Sequence, residues 1–187
     1  MRDLSKTEIQ VNDDIKLIVP NTRQIKELMN IFQDPENVEF IGKYTDWPFS
    51  NNLEEKIKDW IELSYTGKFI FMIILVNSKI AGTCRVVDIS SRDKKAALGY
   101  MILEEYTGQG LATGCIEALL KFSFKNIQLN RVYLEIDSRN KPSIELAKKL
   151  NFIHEGTLRE DYKYQNRPPY EFSDWQIWSM LKSEYKS

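Results

Sequence analysis

The chain of 187 residues has only two cysteines and one histidine, and these low counts argue against a metal site or a disulfide framework. Cys84 and Cys115 lack the close spacing of zinc ligands, and a single pair cannot build a disulfide-rich scaffold. His154 has no second histidine with which to share a metal ion. We therefore expect free thiols and no bound metal.

Long hydrophobic runs and an excess of one charge are also missing. No segment approaches the roughly 20 apolar residues of a membrane-spanning helix, and the start, MRDLSKTEIQ, lacks a signal-peptide core. The chain has 26 Lys and Arg against 27 Asp and Glu, so no positive field attracts nucleic acid or an anionic membrane. The composition predicts one cytoplasmic domain over 1–187, with its core at about 15–182 and no nucleic-acid or membrane partner.

Glycine is scarce as well, with eight in the chain, yet residues 106–114, YTGQGLATG, contain three of them. Glycine adopts conformations that other residues avoid and lets another molecule approach the backbone closely. A glycine-rich turn before a helix also exposes the unpaired N–H groups of the first helical turn, which suit a phosphate. This loop is either a turn that begins a helix or a binding surface made of backbone.

The hydrophobic pattern before this loop predicts a strand and two helices, followed by more strands. The strand covers 15–20, the first helix is capped by Thr22, and the second lies within 47–63 with a capping-box start at Asn51. Three apolar runs separated by short polar turns then predict an antiparallel meander over 69–103.

The third apolar run of the meander is interrupted by a glycine. Gly99 lies inside this run, where a glycine has no side chain to pack. It predicts a bulge or a site of close backbone approach. A bulged strand here would separate from the next strand and leave room for a ligand.

After the loop, the pattern alternates helix, strand, helix and strand. A helix is predicted over about 113–127, a strand over 131–136, and a short helix that Asn140 caps and a left-handed Asn151 ends. Two further strands close the chain. The prediction is an α/β protein with a mixed, mostly antiparallel twisted sheet flanked by helices.

Two common phosphate motifs do not fit the glycine loop. A Walker A motif needs Gly-Lys-Ser/Thr at its end, but Gly114 is followed by Cys115. A dinucleotide fingerprint accepts Gly108 and Gly110 but finds Thr113 at its sixth position, and no βαβ unit surrounds it.

The loop resembles instead the acyl-coenzyme A loop of the GNAT N-acetyltransferases, whose pattern is Gln/Arg-x-x-Gly-x-Gly/Ala. Residues 107–112 match this pattern at Gly110 and Ala112, while Thr107 replaces the opening Gln/Arg. That replacement removes one long polar contact and keeps the backbone cradle.

The wider sequence is similar to the branch of this family that contains the ribosomal-protein alanine and serine N-acetyltransferases. The similar segments are ALGYMILEEYTGQGLAT, NRVYLEIDSRNKPSIELAKKLNFIHEGTLRE and WQIWSMLKSEY, within about 15–185. The resemblance implies an enzyme that uses acetyl-CoA to acetylate a primary amine, above all the N-terminus of a protein such as a ribosomal protein. A polyamine or aminoglycoside acceptor and a non-catalytic CoA-binding regulatory domain stay open, as does a homodimer.

The resemblance also implies the residues that hold acetyl-CoA. The backbone near Met101 and Leu103 would follow the pantetheine, and the amides of 108–113 would hold the pyrophosphate. The implied cofactor-binding residues are Met101, Leu103, Thr107, Gly108, Gln109, Gly110, Leu111, Ala112, Thr113, Asn140 and Ser143.

The catalytic residues implied are Ser143, Glu160 and Tyr162. Ser143 would protonate the leaving thiolate, although it also reads as an ordinary first-turn serine. The glutamate that acts as base in some members falls on Tyr162, and Glu160 is a nearby candidate that also reads as a solvated hairpin charge. Segments 44–49 and 162–170 would wall the acceptor groove.

The replacement of the glutamate base by Tyr162 affects which kind of acceptor amine we expect. An α-amine with a pKa of about 7.7–8.0 is roughly one-tenth neutral at pH 7, whereas a lysine amine at about 10.4 is neutral about once in 2,500 molecules. A site with a displaced carboxylate therefore favours an α-amine.

Overall fold

A computed structural model of the chain describes residues 7–34, 37, 40, 52–67, 69–163 and 172–186. Eight strands form one sheet in the order β1-β2-β3-β4-β5-β6-β8-β7, and all neighbours are antiparallel except the parallel pair β5 and β6. The strands are β1 (Glu8–Gln10), β2 (Ile15–Ile18), β3 (Ile70–Val76), β4 (Lys79–Ser90), β5 (Lys95–Ile102), β6 (Arg131–Asp137), β7 (Ile153–Lys163) and β8 (Phe172–Leu181). The predicted mixed, mostly antiparallel sheet is confirmed.

The helices of the described residues cover both faces of the sheet. They are α1 (Ile25–Gln33), α2 (Leu53–Thr66), α3 (Leu111–Lys121) and α4 (Lys141–Lys149). Apolar residues of α1 and α2 pack on one face and those of α3 and α4 on the other. Strand β3 serves both layers, because Phe71 and Ile73 join the first cluster while Met72 and Ile74 join the second. Its unbroken apolar sequence follows from this double burial.

The local signals correctly predicted the residue that caps α4. For α1 they placed the cap one residue too late in the chain. Asn140 caps α4 by accepting the N–H of Ser143 at 3.1 Å, and Asn151 after this helix has a φ of 61°. Thr22 is not a cap, since Asn21 accepts the N–H of Arg23 and begins a short 3₁₀ turn before α1. The predicted cap Asn51 lies outside the described residues.

The predicted bulge at Gly99 is wrong, and the group that approaches this glycine closely is a side chain, that of Arg85. Gly99 pairs regularly with Arg85, and the register between β4 and β5 shifts at Val87–Ser90 instead, where Asp88 has a φ of 53°. A Cβ added to Gly99 would lie 2.6 Å from Nε of Arg85, so this side chain crosses the glycine.

Strands β5 and β6 separate soon after they meet. They pair at Lys95, Ala96 and Ala97 only, whereas β5 continues beside β4 as far as Ile102. The second half of β5 therefore has a strand on one side and an opening on the other.

Candidate functional site

A cleft of about 750 Å³ lies where β5 leaves β6, between the glycine loop with the start of α3 and the exposed side of α4. Its volume is in the range of small-molecule sites. The predicted cofactor residues that line it are Met101, Thr107, Gly108, Gly110, Leu111, Ala112, Thr113, Asn140 and Ser143. Leu103 and Gln109, also predicted, are not among its lining residues.

The glycine loop owes its glycines to backbone conformation. Gly108 and Gly110 have φ values of 72° and 77°, and a Cβ added to either would meet no described atom within 4 Å. Side-chain contacts fix the loop, because Thr107 Oγ1 donates to the carbonyl of Glu104 at 2.8 Å and Gln109 Nε2 to that of Glu105 at 3.0 Å. The side chain of Gln109 is therefore used within the loop.

Helix α3 begins at this loop without a side-chain cap. Gly110 is its N-cap and forms no side-chain hydrogen bond, in contrast to Asn140 at the start of α4. The first N–H groups of a helix have no partner within the helix and carry its partial positive charge. Leu111, Ala112 and Thr113 bring these groups to the wall of the cleft, where they can bind a phosphate.

Lys149 adds a full positive charge to the same wall, and the sequence reasoning did not select it. It is the one cationic residue among the described residues that line the cleft, and its Nζ donates to Thr113 Oγ1 at 3.4 Å. The lining positions Pro142, Leu146 and Lys149 follow the helical period along α4. That spacing is the sequence signal from which Lys149 could have been predicted to face the cleft.

A second cavity, of about 60 Å³, opens on the other side of Ser143, between the separated strands β5 and β6. Both cavities are lined by Phe40, Tyr100, Asn140 and Ser143. A group held in the large cleft and a group entering the small cavity would therefore meet at these residues.

The junction holds a hydrogen bond that the sequence did not predict. The hydroxyl of Tyr100 in β5 donates to Oγ of Ser143 in α4 at 2.9 Å. Burial raises the pKa of the Tyr100 phenol, and its bond with Ser143 opposes part of that rise. The phenol is therefore protonated at neutral pH.

Acidic side chains also reach the small cavity. Glu135 and Asp137 line it, but Asp137 is fully buried and accepts hydrogen bonds from Arg139 and from Ser173 Oγ at 2.7 Å. These partners stabilise the Asp137 carboxylate as a structural group.

Of the two other predicted catalytic residues, neither lines the described parts of these cavities. Glu160 is exposed, has a φ of 51° and donates its N–H to Asp174 Oδ1 at 2.9 Å. Tyr162 is half-buried, and its ring packs edge-on against Trp175, which lines the small cavity. Segment 44–49 and most of 162–170 lie outside the described residues.

The cysteines are buried packing residues. Both thiols are free, and burial raises their pKa values, that of Cys115 to about 12. They remain protonated at neutral pH and are poor nucleophiles. Over the described ranges we find no cluster of three or more His, Cys, Asp or Glu side chains suited to a metal ion. No described helix is both long and apolar enough to cross a membrane.

Comparisons with known proteins agree on a family. The acetyltransferase (GNAT) domain family matches residues 16–153. An uncharacterized N-acetyltransferase, p20, of Bacillus licheniformis is 28% identical over 84% of this chain and 87% of its own length. The putative ribosomal N-acetyltransferase YdaF of Bacillus subtilis is 25% identical over 95% of this chain and 96% of its own length. The spermidine N(1)-acetyltransferase of Escherichia coli is 29% identical over 48% of each chain.

The fold is also that of a solved acetyltransferase. RimL, a ribosomal α-N-protein acetyltransferase in complex with coenzyme A, superimposes with a TM-score of 0.82, 18% identity and coverage of 94% of this chain and 98% of that one. The chain belongs to the GNAT acetyltransferase family. It is therefore an N-acetyltransferase with acetyl-CoA as its cosubstrate.

Proposed function

We propose that this GNAT acetyltransferase acetylates the N-terminal α-amine of a protein, with a ribosomal protein as the first candidate. The observation that carries the proposal is the position of Glu160, the predicted base, which is exposed and outside the described lining of both cavities. Without a strong base, only the fraction of the acceptor amine that is already neutral in solution can react. The pKa gap between lysine and α-amines makes deprotonation of an α-amine cost about 3.4 kcal/mol less than deprotonation of a lysine side chain.

The large cleft is the proposed site of acetyl-CoA. The uncapped amides of Leu111, Ala112 and Thr113, with the ammonium of Lys149, offer partial and full positive charge to its pyrophosphate. The open edge of β5 around Met101 offers backbone hydrogen-bonding groups to the amides of its pantetheine arm.

The small cavity is the proposed entrance of the amine. It meets the cleft at Ser143, whose hydroxyl would supply the proton that the leaving thiolate requires. Asn140 would hold the pantetheine with its side-chain amide. The acetyl-CoA site and the amine entrance would both belong to a single domain.

The full-length chain should be incubated with acetyl-CoA and a panel of matched peptides, followed by intact-mass analysis. We expect peptides with a free N-terminal alanine or serine to gain one acetyl group. Matched controls blocked at the N-terminus but containing lysine should gain none. Faster turnover of a lysine side chain than of any N-terminus would refute the α-amine assignment.

A small amine is the second candidate, because a spermidine N(1)-acetyltransferase is among the relatives and Glu135 adds negative charge to the small cavity. The same assay with spermidine and an aminoglycoside in place of the peptides separates the two. A higher kcat/KM for either small amine than for every peptide would favour this candidate over the first.

A further inference from the structure

We propose that Tyr100 is a positioning residue that directs the proton of Ser143 into the cleft and replaces that proton when it is lost. The inference rests on the proposed function, in which Ser143 protonates the leaving thiolate. It is carried by the 2.9 Å hydrogen bond between the two hydroxyls at the junction of the two cavities.

The direction of this hydrogen bond determines the orientation of the serine. Tyr100 donates, so Ser143 Oγ uses a lone pair and keeps its own hydrogen for another acceptor. A hydroxyl that already accepts a hydrogen bond becomes a better donor, because hydrogen bonds in a chain polarise one another. Ser143 can therefore donate to a sulfur placed in the cleft.

A serine without this partner would be a poor acid. Loss of its proton leaves an alkoxide, a far stronger base than the phenolate of a tyrosine, even though burial raises the pKa of Tyr100 above the ordinary value of about 10. With Tyr100 in contact, the phenol proton moves to Ser143 Oγ as the serine proton moves to sulfur, and the negative charge ends on the phenolate. The leaving thiolate, by comparison with a cysteine thiol of pKa about 8.5, lies much closer to the phenol than to an alcohol.

The atoms and electrons of this step balance. The amine nitrogen forms the bond to the acetyl carbon, and the carbon–sulfur bond breaks with its electron pair on sulfur. Sulfur takes the proton of Ser143, which takes that of Tyr100. The proton that the nitrogen loses returns to the phenolate, so no other reactant is consumed.

The fold fixes the two hydroxyls from different elements. Tyr100 lies in the half of β5 that has left β6, and it is held by pairing with Cys84 on β4. Ser143 lies in the first turn of α4, where its N–H is bound by Asn140. The positive end of this nine-residue helix also favours negative charge near Ser143.

The test compares Tyr100→Phe, Ser143→Ala and the double variant with any amine that the wild type acetylates. Each single variant should lower kcat at least about 10-fold, in line with general acid catalysis, and leave the KM for acetyl-CoA within twofold. The double variant should match Ser143→Ala, because Tyr100 acts only through the serine. Tyr133→Phe is the control, since that hydroxyl faces Asp88 at 3.5 Å and lines neither cavity.

Two results would overturn the proposal. One is a Tyr100→Phe variant with kcat within twofold of the wild type, and the other is a double variant whose losses multiply. If Tyr100→Phe melts early, 3-fluorotyrosine at position 100 keeps the hydroxyl and makes it more acidic. Its single-turnover rate should then rise, and an unchanged rate refutes the relay. If only the proposed acceptor is wrong, the wild type will acetylate amines other than protein N-termini, and Tyr100→Phe will still lower kcat with those amines.

Discussion

We expect Asn140 to have two separable roles, capping helix α4 and forming a hydrogen bond to the bound acetyl-CoA. Its Oδ1 accepts the N–H of Ser143 at 3.1 Å, so the group left for a ligand is the Nδ2 amino group. It also lines both cavities. Asn140→Ala removes both groups, whereas Asn140→Asp keeps an acceptor for the cap and removes the amide donor.

The two roles have different magnitudes. Loss of an N-cap costs about 1 kcal/mol. With an unfolding entropy of about 2.1 cal/mol/K per residue, 187 residues give about 0.4 kcal/mol/K, so Asn140→Ala should melt about 2.5 °C lower. Loss of one hydrogen bond to the ligand costs about 0.5–1.5 kcal/mol, or about 2- to 13-fold in Kd.

Thermal melting followed by circular dichroism and calorimetric titration with acetyl-CoA measure these effects. The Ala variant should lose both stability and affinity, and the Asp variant should lose affinity alone. Asn21→Ala is the matched control, because Asn21 caps a 3₁₀ turn and lines neither cavity, so it should lower only the melting temperature. An Asp variant that binds acetyl-CoA as tightly as the wild type would show that Asn140 is a cap and nothing more.

Two further predictions concern the walls of the large cleft. Gly110→Val should weaken acetyl-CoA binding well over 10-fold in calorimetry with an unchanged dichroism spectrum. Gly110→Asn, which tolerates the φ of 77°, should also weaken it if ligand approach matters, and wild-type affinity of this variant would mean that only backbone strain is at stake. Lys149→Met should weaken acetyl-CoA binding about 1.5- to 5-fold at low salt, as expected for an exposed charge pair, and leave acetyl-pantetheine binding unchanged. Lys148→Met is its control because Lys148 pairs with Glu145 at 2.7 Å, and an equal loss in both variants would contradict a specific role for Lys149.

Much of the fold was predictable because its signals are local. The glycine loop, the cap at Asn140 and the left-handed Asn151 each depend on neighbours within a few residues. The place of the bulge was not predictable, because it depends on the register of two strands, and that register puts one extra residue in β4 next to Asp88 rather than in β5 at Gly99. The strand β1 was missed because three residues give too short a pattern to recognise.

The residues of the candidate site likewise fall into those that local sequence predicts and those that depend on contacts between distant parts of the chain. The loop residues follow from spacing in the chain, and most of them line the cleft. The bond between Tyr100 and Ser143 joins residues 43 positions apart, so no local pattern contains it. Glu160 was selected by its position in the chain, but a register shift between Leu158 and Tyr162 alters the alternation of side chains along β7.

The three residue pairs between β5 and β6 make a seam through the middle of the sheet. On one side of the seam lie five strands and on the other side three, and each group has its own continuous antiparallel ladder. A molecule bound in the cleft touches both groups, since β5 belongs to the first and α4 follows directly from β6 in the second. Binding therefore connects the two groups across this short parallel join, and it should slow amide hydrogen exchange most in the strands beside that join.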